Sequence, residues 1–265
     1  MLTEVRKSLK LMLYYFRFNL SAVMEYRASF IMQSLGMMIN NSAFIFFWWI
    51  LFENVKSIGG YGFSDVMTIW AISSSAFGIS FVFFGNLNRI TTMIMNGELD
   101  TYLLQPKDPL INILCSKTIV SAWGDAVYGI VLFTMLKGPS ISDMLLFLLF
   151  CITGALIFSS VIVTIHTISF YAGSAEGLSQ LVGEFLISFS IYPEGIFSGR
   201  LKYILYSIIP VAFVTYIPAR IFNGFSAVLL LQVMGAALLW IIITYLLFYR
   251  GLKKYESGNL IISKL

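Results

Sequence analysis

Charge is what this 265-residue chain has least of. Only 11% of its residues are Asp, Glu, Lys or Arg, less than half the roughly 25% usual in a soluble domain. A soluble fold of this length needs a polar shell that so little charge cannot supply. That excludes an ordinary cytosolic enzyme, a disordered chain and a nucleic-acid binder. Histidine occurs once and cysteine twice, at Cys115 and Cys151. Both cysteines lie in apolar runs and read as reduced core residues rather than a disulfide. One histidine and two distant cysteines form no ligand cluster, so no metal site is expected. No G-x-x-x-x-G-K-[ST] phosphate loop occurs, so the chain lacks the familiar cradle for ATP. A cleaved signal peptide is not expected either, because basic residues run on through Arg17 and Arg27 with no cleavage site after a short apolar core.

What the chain has in abundance is apolar surface. Hydrophobic residues make up 58% and aromatic residues 16%, a balance for which the solvent is mostly lipid. A membrane span takes about 20 apolar residues, which leaves room for about six spans and little else. Six apolar segments fit: Ala28–Leu51, Val66–Phe84, Val120–Leu136, Met144–Tyr171, Leu178–Tyr192 and Phe225–Tyr249. The expected fold is an all-α integral membrane protein of six transmembrane helices, forming a single domain over 1–265. Three further features are expected: an amphipathic interface helix at 1–24, a cytoplasmic loop at 85–110 and a broken re-entrant segment at 193–224. In the last, Pro193, Pro210 and Pro218 with Gly195 and Gly199 interrupt an apolar stretch that also holds Glu194, Arg200, Lys202 and Arg220. A straight span tolerates such punctuation poorly, and two short helices dipping into the outer face are expected instead.

Basic residues orient the model. Eleven of the 17 Lys and Arg flank the first span, the last span and the loop after span two, while five fall on the opposite side and Lys117 is left uncounted. The excess places both termini on the cytoplasmic side of the membrane. In the first twenty residues Leu2, Val5, Leu9, Met12, Leu13, Phe16 and Leu20 share one helical face, with Arg6, Lys7, Lys10 and Arg17 beside it. That pattern suits a helix on the inner membrane surface. Leu11, Tyr15 and Phe18 lie off this face, so a second covered side is open.

The most informative stretch is GNLNRITTMIMNGELDTYLLQPKDP, Gly85–Pro109. Leu87, Ile90, Met93 and Ile94 have helical spacing, Asn96-Gly97 signals a turn, and Glu98, Leu99, Asp100, Leu103 and Leu104 predict a second short helix ended by Pro106 and Pro109. Acids in its first turn favour the helix dipole. An apolar and acidic helix on such a loop suits insertion into a partner's groove.

The run Gly97–Leu110, GELDTYLLQPKDPL, closely resembles the cytoplasmic loop of ABC-2 type transporter permeases, in the compact six-span branch. Tyr26–Phe30, Phe47-Trp48-Trp49, and the stretch from Tyr192-Pro193 through Ile209-Pro210 to Pro218-Ala219 and Gly224 are similar to the same branch. The resemblance implies a transmembrane subunit of an ATP-binding-cassette transporter in a bacterial cell membrane, usually an exporter and not itself an enzyme. It implies two separate ATPase subunits carrying ATP and Mg, and a second permease that is either another copy or a related chain. The loop helix would be the coupling helix, with Gly97, Glu98, Leu99, Asp100, Leu103, Leu104 and Pro106 as its contact set.

Polar residues inside the apolar segments are costly unless paired or wet. Asn40, Asn41, Asp125 and Glu184 are candidates for a substrate path, although pairs between helices would explain them equally well. His166 reads as structural, and Ser73, Ser74 and Ser75 as bonds between helices. Phe44–Trp49 and Phe81–Phe84 suit either a bulky hydrophobic substrate or lipid. The leading expectation is an exporter of a hydrophobic or amphipathic compound by alternating access. A non-transporting sensor or immunity subunit that recruits an ATPase is the alternative, and an intramembrane enzyme a more remote one.

Overall fold

The computed structural model describes residues 2–256; the side chains of 2–5 and 137, and Lys264, lie outside that description. Two helices nearly run together at the start. α1 (Leu2–Glu25) and α2 (Arg27–Asn54) are parted at Tyr26, whose φ of −108° and ψ of 61° leave the helical region. A tight turn carrying Tyr61 leads into α3 (Phe63–Phe83), started where the Asp65 carboxylate accepts the Gly62 amide at 3.0 Å. The loop beyond α3 holds three short helices: α4 (Ile90–Met95), α5 (Asp100–Leu103) and α6 (Pro109–Cys115). Two antiparallel helices follow, α7 (Ala122–Lys137) and α8 (Ile141–His166). α8 opens on a reciprocal cap between Ser140 and Asp143, which satisfies two amides that the helix start would otherwise leave bare. A single turn, α9 (Ser169–Ala172), precedes α10 (Glu176–Ser190). Then α11 (Arg200–Tyr206) and α12 (Ile217–Asn223), joined through a π-helical turn at 212–216, lead to α13 (Ala227–Leu252).

The expectation of six spans is met in part. Among the described residues, four stretches are long and apolar enough to cross a membrane: Arg27–Asn54, Phe63–Phe83, Ile141–Ala172 and Ala227–Leu252. α7 and α10 have only 16 and 15 residues, or about 24 and 22 Å at 1.5 Å per residue, against a hydrocarbon core of about 30 Å. Local chemistry cuts both. α7 is bounded by the non-helical Lys117–Ser121 and by Gly138 in the left-handed region at φ 48°. α10 lies between the Gly173-Ser174 turn and Pro193.

α3 and α8 are largely buried, whereas α2 and α13 leave apolar side chains such as Ile31, Met32, Leu35, Leu231 and Leu238 exposed. The tightest packing joins α3 to α7. Ala71, Ser75 and Gly78 on one helix meet Ala122, Ala126 and Gly129 on the other, and a Cβ on Gly129 would lie 2.2 Å from the Ala71 carbonyl oxygen. Small residues let two backbones approach where no water drives association. The serines then bridge helices: Ser73 donates to the Ser190 carbonyl at 2.7 Å, Ser74 to Asp125 at 2.9 Å and Ser75 to Ala126 at 2.9 Å.

The two ends of the bundle differ. α1 and the C-terminal end of α13 flank the loop after α3, where Tyr15 donates to Asn112 and Tyr249 donates to the Asp108 carboxylate at 2.8 Å. The broken segment sits at the other end, beside the turn between α2 and α3.

Candidate functional site

The loop at 85–118 is built as a rigid unit. Its base is cinched where the Gly85 amide donates to the Lys117 carbonyl at 3.0 Å and the Ile119 amide to Phe81 at 3.1 Å. Asn86 reaches across to the Ile113 carbonyl at 3.0 Å and the Ser116 hydroxyl at 2.8 Å. Leu87, Ile90, Met93, Ile94 and Leu99 are buried beneath it. Pro109, expected to end a helix, instead begins α6, with the Asp108 carboxylate accepting the Ile111 amide at 2.9 Å. Proline fits the first helical position, where its missing N–H is no loss.

The tip of this unit is one helical turn. Gly97 reverses the chain at φ 73°. Glu98 is held by Arg89 at 3.3 Å and by Asn96 at 3.2 Å, and Asp100 heads α5. Leu99 points inward and is fully buried, so it supports the turn from below. Leu103 is 37% exposed and Leu104 88% exposed. With Thr101, Pro106 and Lys107, also exposed, they form the outward face.

α1 meets the bundle by one edge of its apolar arc, where Met12 packs on the core and Phe16 stacks on Phe83 at 5.0 Å, and by polar positions beside it. Tyr15 and Asn19 dock it on α6, the latter donating to the Cys115 carbonyl at 2.9 Å. Leu9 and Leu13 of the arc remain more than half exposed, as an interfacial helix requires. Arg6, Lys7, Lys10 and Arg17 are all exposed.

The structure brings Asn40, Asn41 and Asp125 together in one cavity of about 550 Å³ between α2, α3, α7 and α10. Asn41 donates to the Asp125 carboxylate at 2.6 Å. Phe44 and Trp70, with ring centroids 4.8 Å apart, line it away from the loop, and Arg89 and Lys117 line the end nearest the loop. Glu184 does not join them. It borders a smaller cavity of about 320 Å³ with Glu176 and His166, which shares Phe81, Asn88 and Ile187 with the larger one. His166 is buried with both ring nitrogens bonded, to Thr91 of α4 at 2.7 Å and to Ser179 of α10 at 2.8 Å. It therefore connects the loop to a helix that lines the cavity.

The far end holds a cluster that spacing alone did not reveal. Glu194 is 2% exposed and accepts from Lys202 at 2.8 Å, Tyr206 at 2.8 Å, Tyr61 at 3.4 Å and Arg220. The available signal was one acid among three bases in an apolar stretch, which the charge count absorbed as topology. Burial pushes the Glu194 carboxyl up, but Lys202, Tyr206 and Arg220 outweigh it and hold it below its ordinary value of 4.5. Gly195 presses on the turn between α2 and α3, and a Cβ there would lie 1.8 Å from the Gly59 carbonyl oxygen. Glu194→Gln should cost about 1–3 kcal/mol. The figure is less than that for a closed pair, because Lys202 and Arg220 are nearly half exposed. A depressed carboxyl contributes stability in full above its unfolded value and loses it as pH falls through the folded one. Thermal unfolding in neutral detergent should therefore show a parent midpoint that holds from pH 7 to 5 and drops below about 4, with E194Q flatter over that range. Equal midpoints for the two proteins at pH 7 would refute the cluster's role.

These features define a class: an all-helical, multi-pass membrane protein with a cavity between its helices and a rigid loop presenting an apolar turn at one end. Residues 35–258 match the family model described as "ABC-2 family transporter protein", and the chain belongs to that family. No curated protein and no solved structure matches it. The family is one of transporter membrane subunits and not of enzymes. Among the described residues, no three His, Cys, Asp or Glu side chains converge on a position for a metal ion. Membership implies ABC ATPase subunits on other chains and pairing with a further permease.

Proposed function

We propose that the chain is the membrane-spanning permease subunit of an ATP-driven exporter of a hydrophobic or amphipathic compound. In this reading α2, α3, α7, α8, α10 and α13 are six crossings, the two short ones completed by their flanking segments. Both termini and the loop at 85–118 face the cytoplasm, two permeases pair, and two separate ATPase subunits drive alternating access.

The observation that carries the reading is the single apolar turn at Leu103-Leu104, held out on a loop braced internally by Asn86 on α6 and fastened to α3 and α8. A rigid projection transmits displacement, whereas a loose loop absorbs it. Through Thr91, His166 and Ser179 a push on α4 reaches α8 and α10, and α10 walls the cavity. Asn40, Asn41 and Asp125 then line the substrate path, with the Glu194 cluster holding its outer end closed.

The test is purification of the tagged full chain from its native membrane in mild detergent. A second chain carrying a phosphate-loop motif should co-purify, and the reconstituted pair should hydrolyse ATP and accumulate substrate inside inverted vesicles. Recruitment of the ATPase without substrate movement would favour the sensor alternative. A chain that purifies with no ATPase would overturn the proposal.

A further inference from the structure

The 550 Å³ cavity is lined by one carboxylate, Asp125, and by two bases, Arg89 and Lys117, neither of them ion-paired with it. The Asp125 side chain accepts from Asn41 at 2.6 Å. Among the described residues, Asp125 makes no ion pair, unlike Glu98 and Glu194. An acid on a membrane helix is costly unless a counter-charge or water meets it. The surrounding walls are aromatic, with Phe44, Trp70, Phe77 and Phe81 along one side. Ring faces attract organic cations, and the attraction grows as water is excluded. The adjoining 320 Å³ cavity adds Glu176 and Glu184, so an acidic approach leads to the chamber.

The two basic residues lie at the end of the cavity nearest the loop, and neither is ion-paired with Asp125. Arg89 is engaged by Glu98 at 3.3 Å, and Lys117 is exposed at the base of the loop.

Resting on the proposed function, we infer that the substrate is an amphipathic organic cation whose positive centre meets Asp125 and whose apolar body packs against the aromatic wall. The acid supplies selection by charge sign, and the rings supply tolerance for shape. Asn41 orients the carboxylate while leaving the rest of its acceptor capacity for the ligand.

Tetraphenylphosphonium and tetraphenylborate have nearly the same size and shape and opposite charge, so together they isolate the electrostatic contribution. Binding to the purified full chain is measured in neutral detergent, with partition into protein-free micelles subtracted. The phosphonium should bind at least about tenfold more tightly than the borate. Asp125→Asn, which keeps the bond to Asn41, should remove that preference, and Asp125→Glu should retain it. Lys117→Gln, an exposed change independent of Asp125, should hold or increase the preference for the cation.

Equal binding of the two ions by the parent, a preference unchanged in D125N, or a preference reduced by K117Q would overturn the inference and leave the cavity as a path without charge selection. Failure of both ions to bind would overturn the inference and the placement of the path together. ATPase co-purification is read separately and does not depend on either ion.

Discussion

Gly129→Leu should leave almost no folded protein in the membrane, whereas Gly235→Ala should leave stability unchanged or slightly raised. Both glycines sit in helix interiors, at α7 and α13, so their intrinsic cost relative to alanine is alike at about 1 kcal/mol. Their surroundings are not alike. A Cβ on Gly129 would lie 2.2 Å from the Ala71 carbonyl oxygen and 2.3 Å from Ser75 Oγ, while one on Gly235 would meet nothing within 4 Å. The obstacle at Gly129 is backbone, which cannot rotate aside as a side chain can. α3 and α7 would have to part, breaking the bonds from Ser74 and Ser75 to the α7 carbonyls, both 2.9 Å. Overpacking by single methylenes costs about 1–3 kcal/mol; Gly129→Ala should sit at the upper end of that range. Leucine should exceed it and approach the whole stability of about 5–15 kcal/mol. Membrane-fraction yield and thermal unfolding in detergent measure both. A G129L protein with the parent's midpoint would refute the close packing of α3 on α7.

That interface shows how far local pattern can be read. Long apolar runs locate α2, α3, α8 and α13 to within a few residues, because a helix in lipid must satisfy its own backbone and its length follows from the bilayer. The same runs place α7 and α10 within two residues of their ends, but both helices stay short of a bilayer's width. Lys117–Ser121, Gly138 and Pro193 bound them, and hydropathy does not weigh backbone conformation. Pro109 did mislead. A proline reads as a stop or a start according to what precedes it, and Asp108 as a cap makes it a start.

At the candidate site, residues close in sequence were the legible ones. The turn at Gly97–Leu104 was readable as a projecting element, although not which leucines face out, since α5 is a single turn and helical spacing has no length over which to act. Tyr15, lying off the amphipathic face, left a second covered side open, and Asn19 gave no signal. Both are docking points of α1, with partners 97 and 96 residues away. The Glu194 cluster draws on Tyr61, Lys202, Tyr206 and Arg220, from the α2–α3 turn and across the broken segment. No periodicity relates such positions, because the fold alone makes them neighbours. Asn41 and Asp125, 84 residues apart, were singled out only as polar groups in apolar surroundings, and that criterion sufficed to find one wall of the cavity.

Leu104→Asp should abolish coupled transport without disturbing the fold. Leu104 is 88% exposed, and exposed changes of this kind move stability by about 0.5 kcal/mol at most. Its neighbours are less informative. Charge reversal at Glu98 would break the contacts with Arg89 and Asn96, and truncation of the buried Leu99 would cost about 2–5 kcal/mol through the cavity it leaves. Either could stop transport by loosening the loop. At Leu104 the only thing to lose is a partner. If the turn enters an apolar cleft on an ATPase, burying the leucine is worth about 1.5–3 kcal/mol, and aspartate there forfeits this and adds a desolvated charge. Recruitment of the ATPase should weaken by at least about tenfold, and transport should fall with it, while the thermal midpoint of the purified permease stays at the parent value. Leu104→Met should restore both functions, because it keeps volume and apolar character. Retained ATPase binding by a folded L104D protein would remove this turn as the docking element and return the search to the basic face of α1.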